Sequence, residues 1–304
     1  MARLSATNTS AAHATGADRA SSFHSNGHPP APADAVTAAA TTTVTGNDSE
    51  NEFDFDETPN YESRAKTLPY DPSLLPNGSR SLSSISLQAF FLGLTCAASL
   101  MSVAYLATNG IAWWRLPAFF GCLSVFHFLE FWTTARFNLP AVRASSFLLF
   151  SNGTAYNVAH ALATLEIIVS NLFPKYQSFA TTAVTIVVGL GLVLVGQTVR
   201  SVAMAQAGTN FNHTPQKVRK EGHELVTTGI YGLLRHPSYF GFYWWALGTQ
   251  LLVGNKICLV GYALVLWRFF SKRIVAEEKT LVEFFGAEYV RFRERTRTGI
   301  PFVR

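Results

Sequence analysis

Charge is the scarce commodity of this sequence. Only 14% of its 304 residues are Asp, Glu, Lys or Arg, against about a quarter in an ordinary soluble domain. With 48% hydrophobic residues and a mean hydropathy of +0.18, the first class indicated is a membrane protein. Cysteine is nearly absent. Cys96, Cys122 and Cys258 all lie in apolar runs with no metal or disulfide spacing, so they read as small buried hydrophobes. Aspartate does not occur beyond residue 80, which leaves a Ser–His–Asp arrangement without its acid. No glycine-rich strand–turn–helix unit is present, which argues against a soluble Rossmann-type nucleotide site. Gly189, Gly191 and Gly196 echo a dinucleotide turn, but no strand precedes them and an apolar helix surrounds them, which points to close helix packing.

What is present falls into two unlike parts. Residues 1–80 carry ten acidic and five basic side chains, and the rest carries nine acidic and nineteen basic. The first part is rich in Ala, Thr, Ser, Asn and Pro, lacks apolar periodicity, and is expected to be a disordered acidic tail. It has neither the apolar core of a signal peptide nor the acid-poor composition of a transit peptide. Beyond it, apolar runs at about residues 86–107, 116–134, 156–173 and 179–199 approach the ~20 residues needed to cross a bilayer. Two shorter runs, 239–253 and 257–270, separated by Gly254-Asn255-Lys256, suit a tight helical hairpin that is tilted or only partly crossing. The expected fold is an all-α integral membrane protein of about six membrane-embedded helices. Residues 81–205 form helices one to four, and 206–304 form a catalytic region with a cofactor-binding loop, the hairpin and a C-terminal helix. Alternating from the tail, one side receives Arg80, Arg136, Arg143, Lys217, Arg219, Lys220 and the C-terminal arginines, and the other only Arg115, Lys175 and Lys256. The basic side is cytosolic by the positive-inside rule, which puts both termini and the polar stretch there. The sequon Asn212-His213-Thr214 would then escape glycosylation.

Polar residues inside the apolar body need partners. His127 with Glu130, and His160 with Glu166, could begin a metal site, but two pairs on separate helices make no complete ligand set, and interhelical hydrogen bonds are the expectation. The stretch from Gly208 to Glu278 is denser in polar groups. Pro237 biases His236 towards extended backbone and suits the first turn of a helix beginning near Ser238, whose free N–H groups would welcome a carboxylate. Gly229 and Gly232 permit a tight turn presenting an exposed Tyr231 ring for stacking on a base. Arg273 and Glu277 share a helix face and could simply form a surface ion pair. Arg268, Lys272 and Arg273 nevertheless crowd the exit of an apolar hairpin, where a lipid-borne anion would arrive. From these residues alone, ligand site and surface ion pair stay level.

The segments Asn210-Phe211-Asn212-His213, His223-Glu224-Leu225-Val226, Arg235-His236-Pro237-Ser238-Tyr239-Phe240-Gly241, Trp267-Arg268-Phe269-Phe270, Arg273 with Glu277-Glu278, Phe284 to Tyr289, and Thr298-Gly299-Ile300-Pro301-Phe302 closely resemble the protein-S-isoprenylcysteine O-methyltransferases, integral membrane enzymes of the endoplasmic reticulum. The resemblance is strongest from about Gly196 onward and does not include residues 1–80. It implies S-adenosylmethionine as cofactor and methyl esterification of the C-terminal prenylcysteine of processed CaaX proteins. Ras-type GTPases and lipidated fungal pheromones would be substrates, and no nucleic acid is expected as partner. By motif position, Gln216, His223, Glu224, Leu225, Val226, Tyr231, His236, Pro237, Ser238, Tyr239 and Glu277 would contact the cofactor, and Arg273 would hold the substrate and serve catalysis. No metal is implied. One departure stands out: Arg297 occupies a position where the family usually has proline.

Three other readings share some of these features. A phospholipid N-methyltransferase would use a similar fold but accept an amine, for which a carboxylate-gripping Arg273 is the wrong partner. A membrane sterol reductase would need NADPH. A non-catalytic membrane adaptor would tolerate alanine at His236 and Glu277.

Overall fold

The computed structural model describes residues 71–149, 151–177, 182–214, 216, 218–219 and 222–303. The acidic tail expected over residues 1–80 lies outside them as far as residue 70. Residues 71–80, counted with that tail from composition, are folded. Asp71 caps a turn over Pro72–Leu74, and the Ser79 carbonyl accepts from the Ala144 N–H at 2.8 Å.

Seven helices of nine residues or more carry the described chain: α1 (Leu82–Thr108), α2 (Arg115–Phe137), α3 (Thr154–Leu172), α4 (Ala183–Ala207), α5 (Pro237–Val253), α6 (Ile257–Phe285) and α7 (Ala287–Arg295). Among the described residues, α1, α2 and α4 are long and apolar enough to cross a membrane. α3 is shorter and more polar, as its composition foretold. The helix ends alternate. Arg115 donates to the Val253 carbonyl at 3.1 Å and to the Ser170 hydroxyl at 3.4 Å, so the start of α2 meets the ends of α3 and α5. At the opposite end Asn138, just after α2, donates to the Phe211 carbonyl at 2.9 Å. The three cysteines are half-buried and unpaired.

The closest crossing in the bundle is that of α4 with α5, and glycine permits it. A Cβ on Gly196 would stand 2.5 Å from the Trp245 nitrogen, and one on Gly241 2.6 Å from the Gly196 carbonyl oxygen. Gly189 and Gly248 play the same part seven residues along. Only small residues allow helix backbones to approach this far. Gly191 meets nothing within 4 Å and points elsewhere, so two of the three α4 glycines are packing devices. Around the crossing, Phe126 of α2 stacks on Trp245 with ring centroids 4.3 Å apart.

Of the polar side chains singled out on α2 and α3, His127, Glu130 and Glu166 find partners on other elements, whereas His160 Nδ1 lies 2.8 Å from the Tyr156 carbonyl of its own helix. His127 Nδ1 lies 2.8 Å from the Phe147 carbonyl and its Nε2 3.1 Å from the Tyr156 hydroxyl. Glu166 accepts from the backbone N–H groups of Lys256, Ile257 and Cys258 at 2.7–2.8 Å. It supplies, from another helix, the cap that the start of α6 lacks, where a carboxylate also complements the helix dipole. No cluster of three or more His, Cys, Asp or Glu side chains that could hold a metal exists among the described residues.

The hairpin differs from expectation in one respect. α6 does not stop with its apolar run at residue 270 but is unbroken from Ile257 to Phe285, 29 residues in all, about 43 Å at 1.5 Å per residue. Its apolar half therefore extends as one rod into the polar half that carries Arg273 and Glu277. The C-terminal segment then straps the pair. The Trp244 and Trp267 indole N–H groups donate to the Gly299 and Pro301 carbonyls at 3.2 and 2.9 Å. Arg297 pairs with the strand-like Leu233–Arg235 segment, its carbonyl accepting from the Arg235 N–H at 3.0 Å and its own N–H facing the Leu233 carbonyl at 3.5 Å. A proline there could not make the second contact.

Candidate active site

Pro237 sits in the first turn of α5, where its missing N–H costs nothing. The helix thus begins one residue earlier than expected, with His236 as its N-cap at φ −128° and ψ 59°. The first turn of α5 forms one wall of a pocket. The 208–214 loop, the segment 223–226, Tyr231, and the α6 face bearing Glu277, Thr280, Leu281, Phe284 and Phe285 form the others, with Tyr289 and Phe292 of α7 closing one end. Gln216, His223, Glu224, Leu225, Val226, Tyr231, His236, Pro237, Ser238, Tyr239 and Glu277 all line it. They come from five separate stretches of sequence. Tyr231 is half-buried rather than exposed, and its hydroxyl donates to the Ala203 carbonyl at 3.2 Å. Gly229, at φ +59°, makes the turn that presents it and lies against Gln206, whose side chain accepts from the Ile230 N–H at 2.8 Å.

Two polar atoms in this pocket are buried and lack a hydrogen-bond partner, the Gln216 Oε1 and the Tyr289 hydroxyl. Burial raises the Tyr289 phenol above its ordinary pKa, so it stays a neutral donor. An orphaned buried polar group costs about 1–3 kcal/mol, and its retention in a pocket wall fits a ligand with its own donors and acceptors. At the start of α5, Pro237 has no N–H and those of Tyr239 and Phe240 already donate to the His236 carbonyl, at 3.1 and 3.0 Å, so the helix end adds chiefly its dipole on the adjoining wall.

Arg273 lies beside this pocket rather than in its wall. Its Nε donates to the Tyr239 hydroxyl at 2.9 Å, its Nη2 donates to the His213 carbonyl, and its guanidinium lies 5.4 and 5.6 Å from the Tyr239 and Phe269 ring centroids. The Tyr239 hydroxyl donates in turn to Glu277 Oε2 at 2.6 Å. Arg273 and Glu277 therefore share a helix face without forming the ion pair that their spacing allows, because a phenol stands between them.

Two buried ion pairs support the pocket from behind, and neither was assigned a role from sequence. Arg235 Nε donates to Glu278 Oε1 at 2.6 Å, with His236 Nε2 at 3.3 Å from the same oxygen and Arg235 Nη1 on the Thr296 carbonyl at 2.9 Å. Burial acts to raise the Glu278 pKa, but the hydrogen bonds and charges of His236 and Arg235 overcome it and hold the carboxyl below its ordinary value. On the other side Arg200 of α4 grips Glu130 of α2 with Nε and Nη2, and its Nη1 donates to the Ser238 hydroxyl at 2.9 Å. The charged character of Arg200 and Glu130 was visible in sequence; their pairing across 70 residues was not.

The match to known proteins is specific. Residues 187–283 match the model of the isoprenylcysteine carboxyl methyltransferase (ICMT) family. The protein-S-isoprenylcysteine O-methyltransferase of Saccharomyces cerevisiae is 48% identical over 185 residues, which cover 60% of this chain and 77% of that protein. The chain belongs to the ICMT family. The Homo sapiens protein-S-isoprenylcysteine O-methyltransferase is 38% identical over 72% of this chain and 75% of its own length. A solved structure of the eukaryotic intramembrane Ras methyltransferase ICMT superposes with a TM-score of 0.66 at 32% identity, covering 72% of this chain and 77% of that one. None of these three relatives is a phospholipid methyltransferase or a sterol reductase. Like other members of the ICMT family, the chain is a helical, multi-pass membrane methyltransferase.

Proposed function

We propose that this protein transfers the methyl group of S-adenosylmethionine to the C-terminal carboxylate of isoprenylcysteine on processed CaaX proteins. Ras-type GTPases and lipidated pheromones are its substrate class. It works in the endoplasmic reticulum membrane with both termini and the pocket in the cytosol. Residues 81–205 form the membrane scaffold and 206–304 the catalytic region, with α3 and the α5–α6 hairpin embedded beside the three long spans. The reading is carried by one observation: five scattered polar segments converge on a single pocket, with Arg273 beside it on a helix that continues into the apolar hairpin.

The cofactor fits the residues present. Gln216 Oε1 and the Tyr289 hydroxyl offer unfilled hydrogen-bonding capacity, the α5 N-terminus favours a carboxylate, and Glu277 favours hydroxyl or ammonium donors. When bound, S-adenosylmethionine supplies a methyl group already activated on a sulfonium, and the electron pair of the broken C–S bond stays on sulfur as a thioether. The chain's own task is then placement. A C-terminal carboxylate has a pKa of about 3.3–3.7 and is a nucleophile at neutral pH, so its oxygen forms the new C–O bond with no proton transferred and no general base. Arg273 can hold that carboxylate bidentately and keeps its charge throughout. The Tyr239 phenol keeps Glu277 from neutralising it. Holding too tightly would stabilise the ground-state anion, so Arg273 serves orientation more than attraction. Both reacting charges vanish in the transfer, a change that a low-dielectric pocket favours.

The prenyl chain follows the lipid-facing side of α6, where Val260, Leu264, Val265 and Phe269 are exposed. One prenyl chain holds only weakly to a bilayer, so the enzyme meets its substrate within the membrane. The test is purified protein in nanodiscs with labelled S-adenosylmethionine and a farnesylated cysteine analogue, scored for base-labile methyl ester. Ester at the analogue's carboxylate supports the proposal. Absence of ester, with binding of the methyl donor intact, rejects this substrate class.

A further inference from the structure

Glu130 and Arg200 are the strongest unexplained feature of the molecule. They are 1% and 7% exposed, and both lie on helices apolar enough to span a membrane. Taking two charges into such surroundings is expensive, and replacing a buried pair with apolar side chains of similar size is often neutral or stabilising. Ionisable residues at such depth are retained where function needs them.

Their contacts say what that function is. Arg200 uses its whole fork. Nε and Nη2 engage both carboxylate oxygens of Glu130, Nη1 reaches the Ser238 hydroxyl at 2.9 Å and its carbonyl at 3.3 Å, and the guanidinium lies 5.4 Å from each of the Phe126 and Phe242 ring centroids. Ser238 belongs to the turn of α5 that walls the cofactor pocket. Glu130 also faces the other way. Its Oε2 lies 3.7 Å from His213 Nδ1, and the His213 carbonyl receives the Nη2 of Arg273. Burial lowers the His213 pKa; Glu130 pulls it up, while Arg200 and Arg273 push it down. Polar groups therefore follow one another from Ser238 through Arg200 and Glu130 to His213 and Arg273, by hydrogen bonds at each step except the 3.7 Å approach of Glu130 to His213. The first is on the side of the methyl donor, the last on the side of the acceptor carboxylate.

We infer that Glu130 and Arg200 are positioning residues for methyl transfer, setting the distance and angle between the two halves of the site without touching either ligand. The inference rests on the proposed methyl transfer. In-line attack needs oxygen and methyl carbon about 3–3.5 Å apart, and a displacement of about 1 Å can cost 100-fold in rate. A fork pinned on both sides by a carboxylate and a hydroxyl, and flanked by two rings, limits such displacement.

Two variants of the full chain in nanodiscs test this. Glu130→Gln keeps the shape of the side chain and removes its charge. It should lower kcat about 30- to 100-fold while the Kd for S-adenosylhomocysteine and the KM for the farnesylcysteine analogue stay within about threefold. The double variant E130M/R200M replaces the pair with apolar side chains and should fold as well as the native chain. Its kcat should fall just as far, because Ser238 has lost its anchor. This second variant decides the matter even if E130Q fails to fold. Native kcat in the folded double variant would overturn the inference and make the pair merely structural. A loss of kcat that only follows the fraction able to bind S-adenosylhomocysteine would overturn it too. Native protein is assayed in parallel, and its failure to make ester would reject the proposed reaction rather than the role of this pair.

Discussion

Gly241→Ala is the sharpest probe of how the fold delivers the site. A Cβ at this position would lie 2.6 Å from the Gly196 carbonyl oxygen, 2.7 Å from the Arg200 nitrogen and 2.8 Å from the Arg200 Cβ. Ordinary contact begins at 3.4 Å, so α4 and α5 must separate by about 0.8 Å. The atoms met are backbone and Cβ, not the free end of a long side chain, so the strain has no cheap outlet. Overpacking of this kind costs about 1–3 kcal/mol, set against about 1 kcal/mol gained by replacing a helical glycine with alanine. A net loss of about 0–2 kcal/mol is expected. The functional effect should be larger. The Arg200–Ser238 bond of 2.9 Å spans the same crossing and would stretch beyond hydrogen-bonding range, moving the wall of the proposed cofactor pocket. A fall in turnover of about 100-fold follows. The control is Gly191→Ala, where nothing lies within 4 Å and a gain of about 0.5–1 kcal/mol is expected. Thermal unfolding and ester formation in nanodiscs read both effects. If the two variants behave alike, the close crossing does not govern the site as described.

Four further expectations accompany it. Arg273→Ala should remove nearly all turnover yet leave S-adenosylhomocysteine affinity within a few fold, since Arg273 stands outside the pocket wall; calorimetric loss of that affinity would reassign the residue. Glu277→Ala should do the reverse and weaken the nucleoside ligand about tenfold or more, and unchanged affinity would remove Glu277 from the cofactor site. Tyr289→Phe should slightly raise the melting temperature of the ligand-free protein, because it deletes an unpaired buried hydroxyl worth about 1–3 kcal/mol, while weakening S-adenosylhomocysteine binding; a fall in both would show that the hydroxyl is already satisfied. The stability that Glu278 contributes should depend on pH. Its carboxyl titrates below the ordinary 4.5 when folded, so its contribution is full above that value and disappears as pH falls through the folded pKa. The melting-temperature gap between native protein and Glu278→Gln should thus narrow in acid, and a gap independent of pH would contradict the sign.

Much of this was legible in the residues. Hydropathy located α1, α2 and α4, because twenty apolar residues in a row need no partner to be recognised. The pocket segments were visible as polar clusters where polar groups are costly, and their combined motifs carried the family resemblance. What sequence could not supply was long-range pairing. Nothing local to Glu130 points to Arg200, and nothing local to Arg235 points to Glu278, because each partner is chosen by the packing of helices far apart in the chain. The reach of α6 was misjudged for a related reason. Its polar half, from Ser271, loses the apolar signal that marks a membrane helix, yet the backbone continues because no Gly or Pro interrupts it before Gly286. The spacer role of Tyr239 was also hidden, since spacing alone predicts a direct ion pair between Arg273 and Glu277.

Equilibrium binding of labelled S-adenosylmethionine to purified native protein in nanodiscs probes the whole construction most directly. The account predicts saturable binding of one equivalent, displaced by S-adenosylhomocysteine and strongly weakened when Glu277→Ala and Tyr289→Phe are combined. Absence of saturable binding, or binding indifferent to those two changes, would contradict it.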